Sequence, residues 1–486
     1  MTSQVDEETP LLRDEQPRKR TPLPWDQFTI VLFLQLAEPL TSQVISPFAP
    51  QLIRDIGITH GNESQVGYYV GLLQSLFFLT QACTVLHWSR TSDLVGRKPV
   101  ILVGLCGLAA SMFCFGLSRT FWGLVLSRCL NGALNGNIGV IKSMMVELTD
   151  STNIAQAYAY MPIAWSTGGT LGPIIGGTLS RPADQYPSLF GGNEFLKKYP
   201  YFLPCAVPAT YTALAWLITF LFLKETVKAP VPVSRLLRLR KDKDDLSSKG
   251  TIGSEESPTV AVPAQIPDID KPLPLRALLT PRVIIAAGNY AALSLVDIAF
   301  RAIQPVFFAT PIALGGLGLP PSAIGNILSI YGVLNGAVQV FLFARIHDRF
   351  GSKNTYMAGI ISAFPAFLAF PIINSMARAQ GLSTAVWVAV FVQSFISIGL
   401  NLSYGAVFIF IAAASPNRAS LGATNGLSQM TVSIMRAIGP AAANSLFSLS
   451  IEKGYLNGYL VYYVLVLVVG GAMVAASMLP RKLWTS

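Results

Sequence analysis

Apolar residues along this chain come in blocks, each close to the ~20 residues that a helix needs to cross a bilayer core. The blocks cover residues 28–50, 66–88, 99–117, 121–146, 155–179, 201–223, 283–309, 324–345, 355–375, 384–413, 421–447 and 458–479. Polar and apolar positions do not alternate within them, which argues against the ~10-residue alternating strands of a membrane barrel. The pattern predicts an all-α membrane protein with twelve transmembrane helices. Polar stretches divide it into an N-tail (1–26), a first six-helix bundle (27–223), a linker (224–281), a second six-helix bundle (282–480) and a C-tail (481–486).

Composition supports this solvent. Only 12% of residues are charged, against about 25% in soluble proteins, and the mean hydropathy is +0.50. The net charge of +10 is not a nucleic-acid footprint, because its distribution follows the loops. The N-tail, the 89–98 loop, the linker, the 345–353 loop, Arg418 and the C-tail hold 23 Lys and Arg, and the alternate loops hold 7. Positive residues stay on the cytosolic side, so both tails and the linker are expected there. The first 26 residues show no apolar signal-peptide core, so the first span is expected to direct its own insertion. Asn62-Glu63-Ser64 is then an N-glycosylation acceptor on the far side, whereas Asn401-Leu402-Ser403 falls inside span ten. Cys83, Cys106, Cys114, Cys129 and Cys205 form no paired motif, and His60, His87 and His347 are scattered. Neither a disulfide framework nor a metal site is expected, and no cofactor.

The two halves repeat. Arg90, Asp93, Gly96 and Lys98 recur as Arg345, Asp348, Gly351 and Lys353 at a constant offset, each set following the second span of its half. Gly172-Pro173 in span five is mirrored by Gly439-Pro440 in span eleven. Repeats of six spans around a midplane site are a transporter architecture. Several ionisable residues lie inside spans, where each costs about 2.5–3.5 kcal/mol or more unless it has a partner or a water path. They are Glu38 in span one, Arg128 and Lys142 in span four, Asp297 and Arg301 in span seven, and Arg436 in span eleven. Helical spacing sets Arg128, Asn131, Asn135 and Lys142 on one face. Arg128 is the expected partner of Glu38, Thr41 and Ser42 extend a polar face below it, and Gln304 lies one turn beyond Arg301. Asp297 and Arg301 also admit a purely structural reading as a buried i,i+4 pair.

The 89–98 loop resembles the cytoplasmic signature loop of the major facilitator superfamily, G-x-x-x-D-[RK]-x-G-[RK]-[RK], with Ser89 and Leu94 departing from it. Span five matches that family's antiporter motif, G-x-x-x-G-P-x-x-G-G, at Gly168, Gly172, Pro173, Gly176 and Gly177. Arg128-x-x-x-Gly132-x-x-x-Gly136 is similar to its span-four motif. The resemblance implies a cytosolic gate of Asp93, Gly96, Arg97 and Glu147, with Asp348 in the second copy, that latches the outward-facing state. The plainer reading of that loop is a topology anchor. A closer likeness is to fungal and plant members of the zinc-induced-facilitator type within the drug:proton antiporter branch. It is carried by Ala37-Glu38-Pro39, Asn135-Gly-Asn-Ile-Gly-Val-Ile-Lys-Ser143, Lys198-Tyr-Pro-Tyr-Phe-Leu-Pro-Cys205 and Lys224-Glu225-Thr226. The plant group's Cys- and His-bearing loop motifs are missing here.

Together these imply a monomeric secondary transporter that couples protons to efflux of small organic molecules. Glu38, Arg128 and Asp297 are the candidates for proton coupling. Glu38, Asn131, Asn135, Lys142, Asp297, Arg301, Gln304 and Arg436 are the candidates for cargo binding. Burial raises a carboxyl's affinity for protons and a nearby Arg lowers it, so moving that Arg, or admitting a cationic substrate, would toggle the acid. Transport of a metal ion or chelator and a non-transporting sensor are the alternatives. No Ser/His/Asp set or phosphate loop points to an enzyme. The plasma membrane is the expected location, and Glu7-x-x-x-Leu11-Leu12 resembles a sorting signal that would redirect the chain to a vacuole.

Overall fold

The computed structural model describes residues 21–150, 153–227, 275–416, 421–481 and 483–484. The sorting pattern at Glu7 to Leu12 and most of the linker lie outside the described residues. Those described form helices and no strands. The principal helices are α1 (Trp25–Gln35), α2 (Ala37–Gln43), α3 (Ala49–Ile56), α4 (Val66–Val95), α5 (Arg97–Leu117), α6 (Phe121–Leu134), α7 (Asn137–Leu148), α8 (Ile154–Leu179) and α9 (Phe202–Phe222). There follow α10 (Pro281–Ala309), α11 (Pro321–Phe341), α12 (Phe343–Gln380), α13 (Thr384–Ala414), α14 (Leu421–Glu452) and α15 (Leu460–Ser477).

The breaks have local causes. Pro39 lacks the N–H that would bond Gln35, where α1 ends, and Pro47 does the same to Gln43, where α2 ends. Span four divides at Asn135-Gly136 because the Trp88 indole donates to the Ala133 carbonyl at 2.7 Å, taking an acceptor from the helix ladder. The repeated loops turn alike: Gly96 has φ 112° and Gly351 φ 77°, backbone that only glycine adopts readily.

Eight helices are long and apolar enough to cross a membrane by length and composition. The segments α1–α3, α6–α7, α8 and α14 do not meet that test, being either interrupted or rich in Gly, Ser, Thr and charged side chains. They carry most of the candidate site.

Within the first half α5 packs on α9, α4 on α6 and α2 on α8; within the second α12 packs on α13 and α15, and α10 on α13 and α14. Two seams join the halves, α4 with α14 and α8 with α11. A groove of about 380 Å³ along the first seam has apolar walls, Leu72, Leu76, Leu79 and Ile438 among them, and holds none of the candidate site residues. Hydrogen bonds across the seams lie toward the end bearing loops 57–65 and 310–320. Arg54 donates to the Ala309 carbonyl at 2.7 Å, Ala441 N–H to Ser75 Oγ at 2.9 Å, and Ser329 Oγ to the Thr170 carbonyl at 2.9 Å. At the opposite end the Asp93 and Asp348 side chains are 56% and 81% exposed. The molecule is closed at the first end, and the gate acids stand in the open at the second.

Candidate functional site

Glu38 sits in the first turn of α2, immediately after the break at Leu36. It is partly exposed. The amides of Gln81 on α4 and of Asn135 at the span-four break face it, yet Gln81 Nε2 and Asn135 Nδ2 have no hydrogen-bond partner. Its charged neighbours are Arg436 on α14 and Lys142 on α7. Lys142 is exposed, with Glu38 and Arg436 as its charged neighbours, so it lines an opening. Thr41 does not extend a polar face toward the carboxylate: its hydroxyl donates to the Ala37 and Glu38 carbonyls at 2.8 and 2.9 Å.

Arg128 is placed differently from the sequence expectation. It is buried in the first half with its guanidinium over the rings of Phe115 and Phe77, at 5.3 and 5.8 Å. Cys205 lies nearby, and Arg128 Nε has no hydrogen-bond partner. The break at Asn135-Gly136 explains this. It interrupts the face that even spacing predicts, leaving Arg128 against α5 and α9 and Lys142 at the opening. Asn131 is also buried, with its Oδ1 unpartnered.

The second half contributes a connected polar network. Arg301 Nε donates to Asp297 Oδ1 and its Nη2 to Asn401 Oδ1, both at 2.8 Å. Tyr404 donates to Asp297 Oδ2 at 3.0 Å, and Asn401 donates to the Tyr331 hydroxyl at 2.7 Å. Arg436 faces the hydroxyls of Tyr404 and Tyr290. Tyr290 packs edge-on against Tyr404 and Phe408. Gln304 is buried with Nε2 unpartnered. Sequence reasoning missed Gln81, Tyr290, Tyr331, Asn401 and Tyr404. The polar run Asn401-Leu-Ser-Tyr404 inside an apolar span is the available signal.

At the open end Arg97 pairs with Asp93 at 2.5 Å and Glu147 at 2.9 Å and donates to Ser92 Oγ at 2.6 Å. These contacts stay within the first half and tie no element of the second. Glu225, just past α9, accepts the N–H groups of Arg97 at 2.8 Å and Lys98 at 3.0 Å, capping α5 with a negative charge. A side chain at Gly96 would meet Glu225 Oε2 at 2.5 Å. In the second copy Asp348 lies 3.5 Å from His347, and Lys353 donates to the Ser477 carbonyl at 2.9 Å, and to that of Leu479, at the end of α15.

The antiporter-motif glycines mark close approaches. A Cβ at Gly168 would stand 2.6 Å from Pro39, at Gly172 2.9 Å from Gln43, and at Gly176 1.9 Å from the Val44 carbonyl, all on span one. Gly177 instead faces the Pro321 carbonyl of α11 at 2.6 Å. The Pro173 carbonyl lies against Gly325, and the Pro440 carbonyl against Gly71, so the repeated Gly-Pro pairs serve the two seams alike. Asn62 is exposed on the closed end, its Oδ1 accepting from Ser64 N–H at 3.1 Å and Oγ at 2.6 Å.

The family model of the Major Facilitator Superfamily matches residues 31–440. The chain belongs to the major facilitator superfamily. It is 30% identical to the major facilitator-type transporter psiT2 of Psilocybe cyanescens, over 92% of this chain and 88% of that one. It is 29% identical to the protein Zinc induced facilitator-like 1 of Arabidopsis thaliana, over 93% and 91%. Other fungal relatives are named a multidrug transporter and an efflux pump. Among solved structures, a bacterial homologue of the human lysosomal transporter Spinster, in an inward-facing and unoccupied conformation, superposes with a TM-score of 0.66. That superposition covers 94% of this chain and 96% of the other at 16% identity, a likeness of fold alone. This facilitator is therefore a multi-pass membrane protein and a secondary transporter, not an enzyme.

Proposed function

We propose that this facilitator couples protons to the export of small organic molecules, with twelve transmembrane helices in two six-helix bundles, residues 27–223 and 282–480, rocking about a midplane site. Glu38 carries the proton. The observation behind this is the contrast between its two acids. Asp297 is held by Arg301 and Tyr404, whereas Glu38 stands at the junction of the halves, facing cations from both and closing an ion pair with neither. An acid that must load from one side and release to the other cannot be locked in a permanent pair. The antiporter motif and the relatives named for efflux favour export. A monomer in the plasma membrane, with loops 57–65 and 310–320 outside the cytosol, completes the reading; the alternative vacuolar location is set by Glu7, Leu11 and Leu12.

The test is transport in proteoliposomes of a cargo that the wild-type protein exports. Glu38→Gln is expected to abolish flux driven by a pH gradient while exchange at equal pH survives. If Glu38→Gln leaves gradient-driven flux intact and Asp297→Asn destroys it, the proton site belongs to α10. The relative named for zinc induction favours one further reading, transport of a metal chelate. Among the described residues no three His, Cys, Asp or Glu side chains are grouped to hold a bare ion. Flux that requires zinc together with a chelator would favour that reading.

A further inference from the structure

The charges at the junction of the halves do not balance, and the imbalance has a chemical shape. On the second-half side, Arg301 and Asp297 neutralise each other. Arg128 stands apart among the rings of Phe77 and Phe115. What remains is Lys142 from α7 and Arg436 from α14, with Glu38 from α2 near both and the already paired Asp297 also near Arg436. Neither cation closes an ion pair among the described residues, and Lys142 is exposed to the opening. With Glu38 ionised one positive charge is uncompensated, and with Glu38 protonated two are. Two unpaired cations, one from each half, call for an oxyanion, which they would hold by charge-assisted hydrogen bonds.

An anion alone does not fit proton exchange. Bound between Lys142 and Arg436, it would strengthen Glu38's hold on its proton, so proton and cargo would travel together. Exchange requires a cargo that also displaces the proton, and a cationic group against Glu38 does that. A cation alone fails in turn, because Lys142 and Arg436 repel it. Tyr290 and Tyr404 face Arg436, and Phe408 packs on Tyr290 at 5.3 Å, which supplies an aromatic wall beside the charges.

We propose that the cargo is a small zwitterion with an aromatic or apolar body, its oxyanion held between Lys142 and Arg436 and its ammonium group set against Glu38. This rests on the exporter reading above and names its substrate class. In the cytosol-open state the arriving ammonium takes the place of the Glu38 proton, which leaves to cytosolic water. On the far side the ammonium departs with the cargo and a proton from solution replaces it.

Two matched probe series test this on the purified full chain in lipid nanodiscs. They are phenylalanine, 3-phenylpropionate and 2-phenylethylammonium, and tryptophan, indole-3-propionate and tryptamine. Binding is read from thermal stabilisation, and proton release from a pH indicator in weak buffer. In at least one series the zwitterion is expected to bind ten-fold or more tighter than either half-molecule and to release a proton. Lys142→Gln and Arg436→Gln should erase its advantage over the amine, and Lys142→Arg and Arg436→Lys should keep it. Glu38→Gln should bind without proton release and lose the advantage over the carboxylate. Binding that ignores charge, binding of a half-molecule as tight as that of its zwitterion, or no binding by either zwitterion overturns the proposal. Zwitterion binding with proton release but without gradient-driven flux overturns the exporter reading and leaves this one standing. Gradient-driven flux of the amines in preference to the zwitterions does the reverse.

Discussion

At the scale of single residues, the sequence displayed which side chains were out of place in lipid but not which ones meet. Glu38 was legible because an acid inside an apolar span must have a reason to be there. Its neighbours were not, because even helical spacing cannot foresee that Trp88 takes the Ala133 carbonyl and splits span four. The paired loops allow a sharper comparison. Gly96 and Gly351 both pair a positive φ with an extended ψ, a region that costs a non-glycine residue on the order of 1–3 kcal/mol. A Cβ at Gly351 meets nothing within 4 Å, whereas one at Gly96 runs into the Glu225 carboxylate that caps α5. Gly96→Ala is therefore expected to lower the melting temperature of the purified protein clearly more than Gly351→Ala does. Equal shifts would mean that the Glu225 cap contributes nothing to the difference.

At the scale of elements, eight of the apolar blocks coincide with helices long and apolar enough to cross a membrane; Pro39 announces the break in span one, while the break in span four has no such signal, because glycine inside a span is ordinary in membrane helices. The antiporter motif was visible as a string of letters, and only packing shows what its glycines do. Gly168, Gly172 and Gly176 bring α8 against the broken first span that carries Glu38. Gly169, in the same string, faces open space. Gly176→Ala should therefore abolish transport or folding, since its new Cβ would lie 1.9 Å from the Val44 carbonyl. Gly169→Ala should retain near-wild-type flux and expression. A similar loss in both variants, measured by flux per folded molecule, would show that the motif needs flexibility and not close approach.

At the scale of the whole molecule, repeats and the charge bias of the loops made a membrane transporter of two halves legible, while the end that is shut in this structure was not, because a sequence does not record it. The seam at the shut end leaves no room for a side chain at Gly71, where a Cβ would stand 2.6 Å from the Pro440 carbonyl and 2.8 Å from the Asn444 Cβ. Gly71→Ala should therefore hold this end apart and lower flux per folded molecule; unchanged flux would mean that the cycle does not need this close approach. Orientation has its own check. Asn62 should be the acceptor that receives glycan in a eukaryotic host, and a sequon engineered at Ser247 should stay bare; glycan at Ser247 would invert the topology. The four segments too interrupted or too polar to cross a membrane by length and composition alone hold most of the site, Asp297, Arg301 and Gln304 of α10 excepted. That shortfall bears on biogenesis. Asn, Gly and charged side chains lower the tendency of such a segment to partition from the translocon into lipid. These segments must wait beside the protein-conducting channel until more apolar neighbours arrive to shelter them. The polar groups that equip the molecule to move cargo thus impose an order of assembly on its own synthesis, and a chain cut short after α7 should leave span four poorly integrated and marked for degradation.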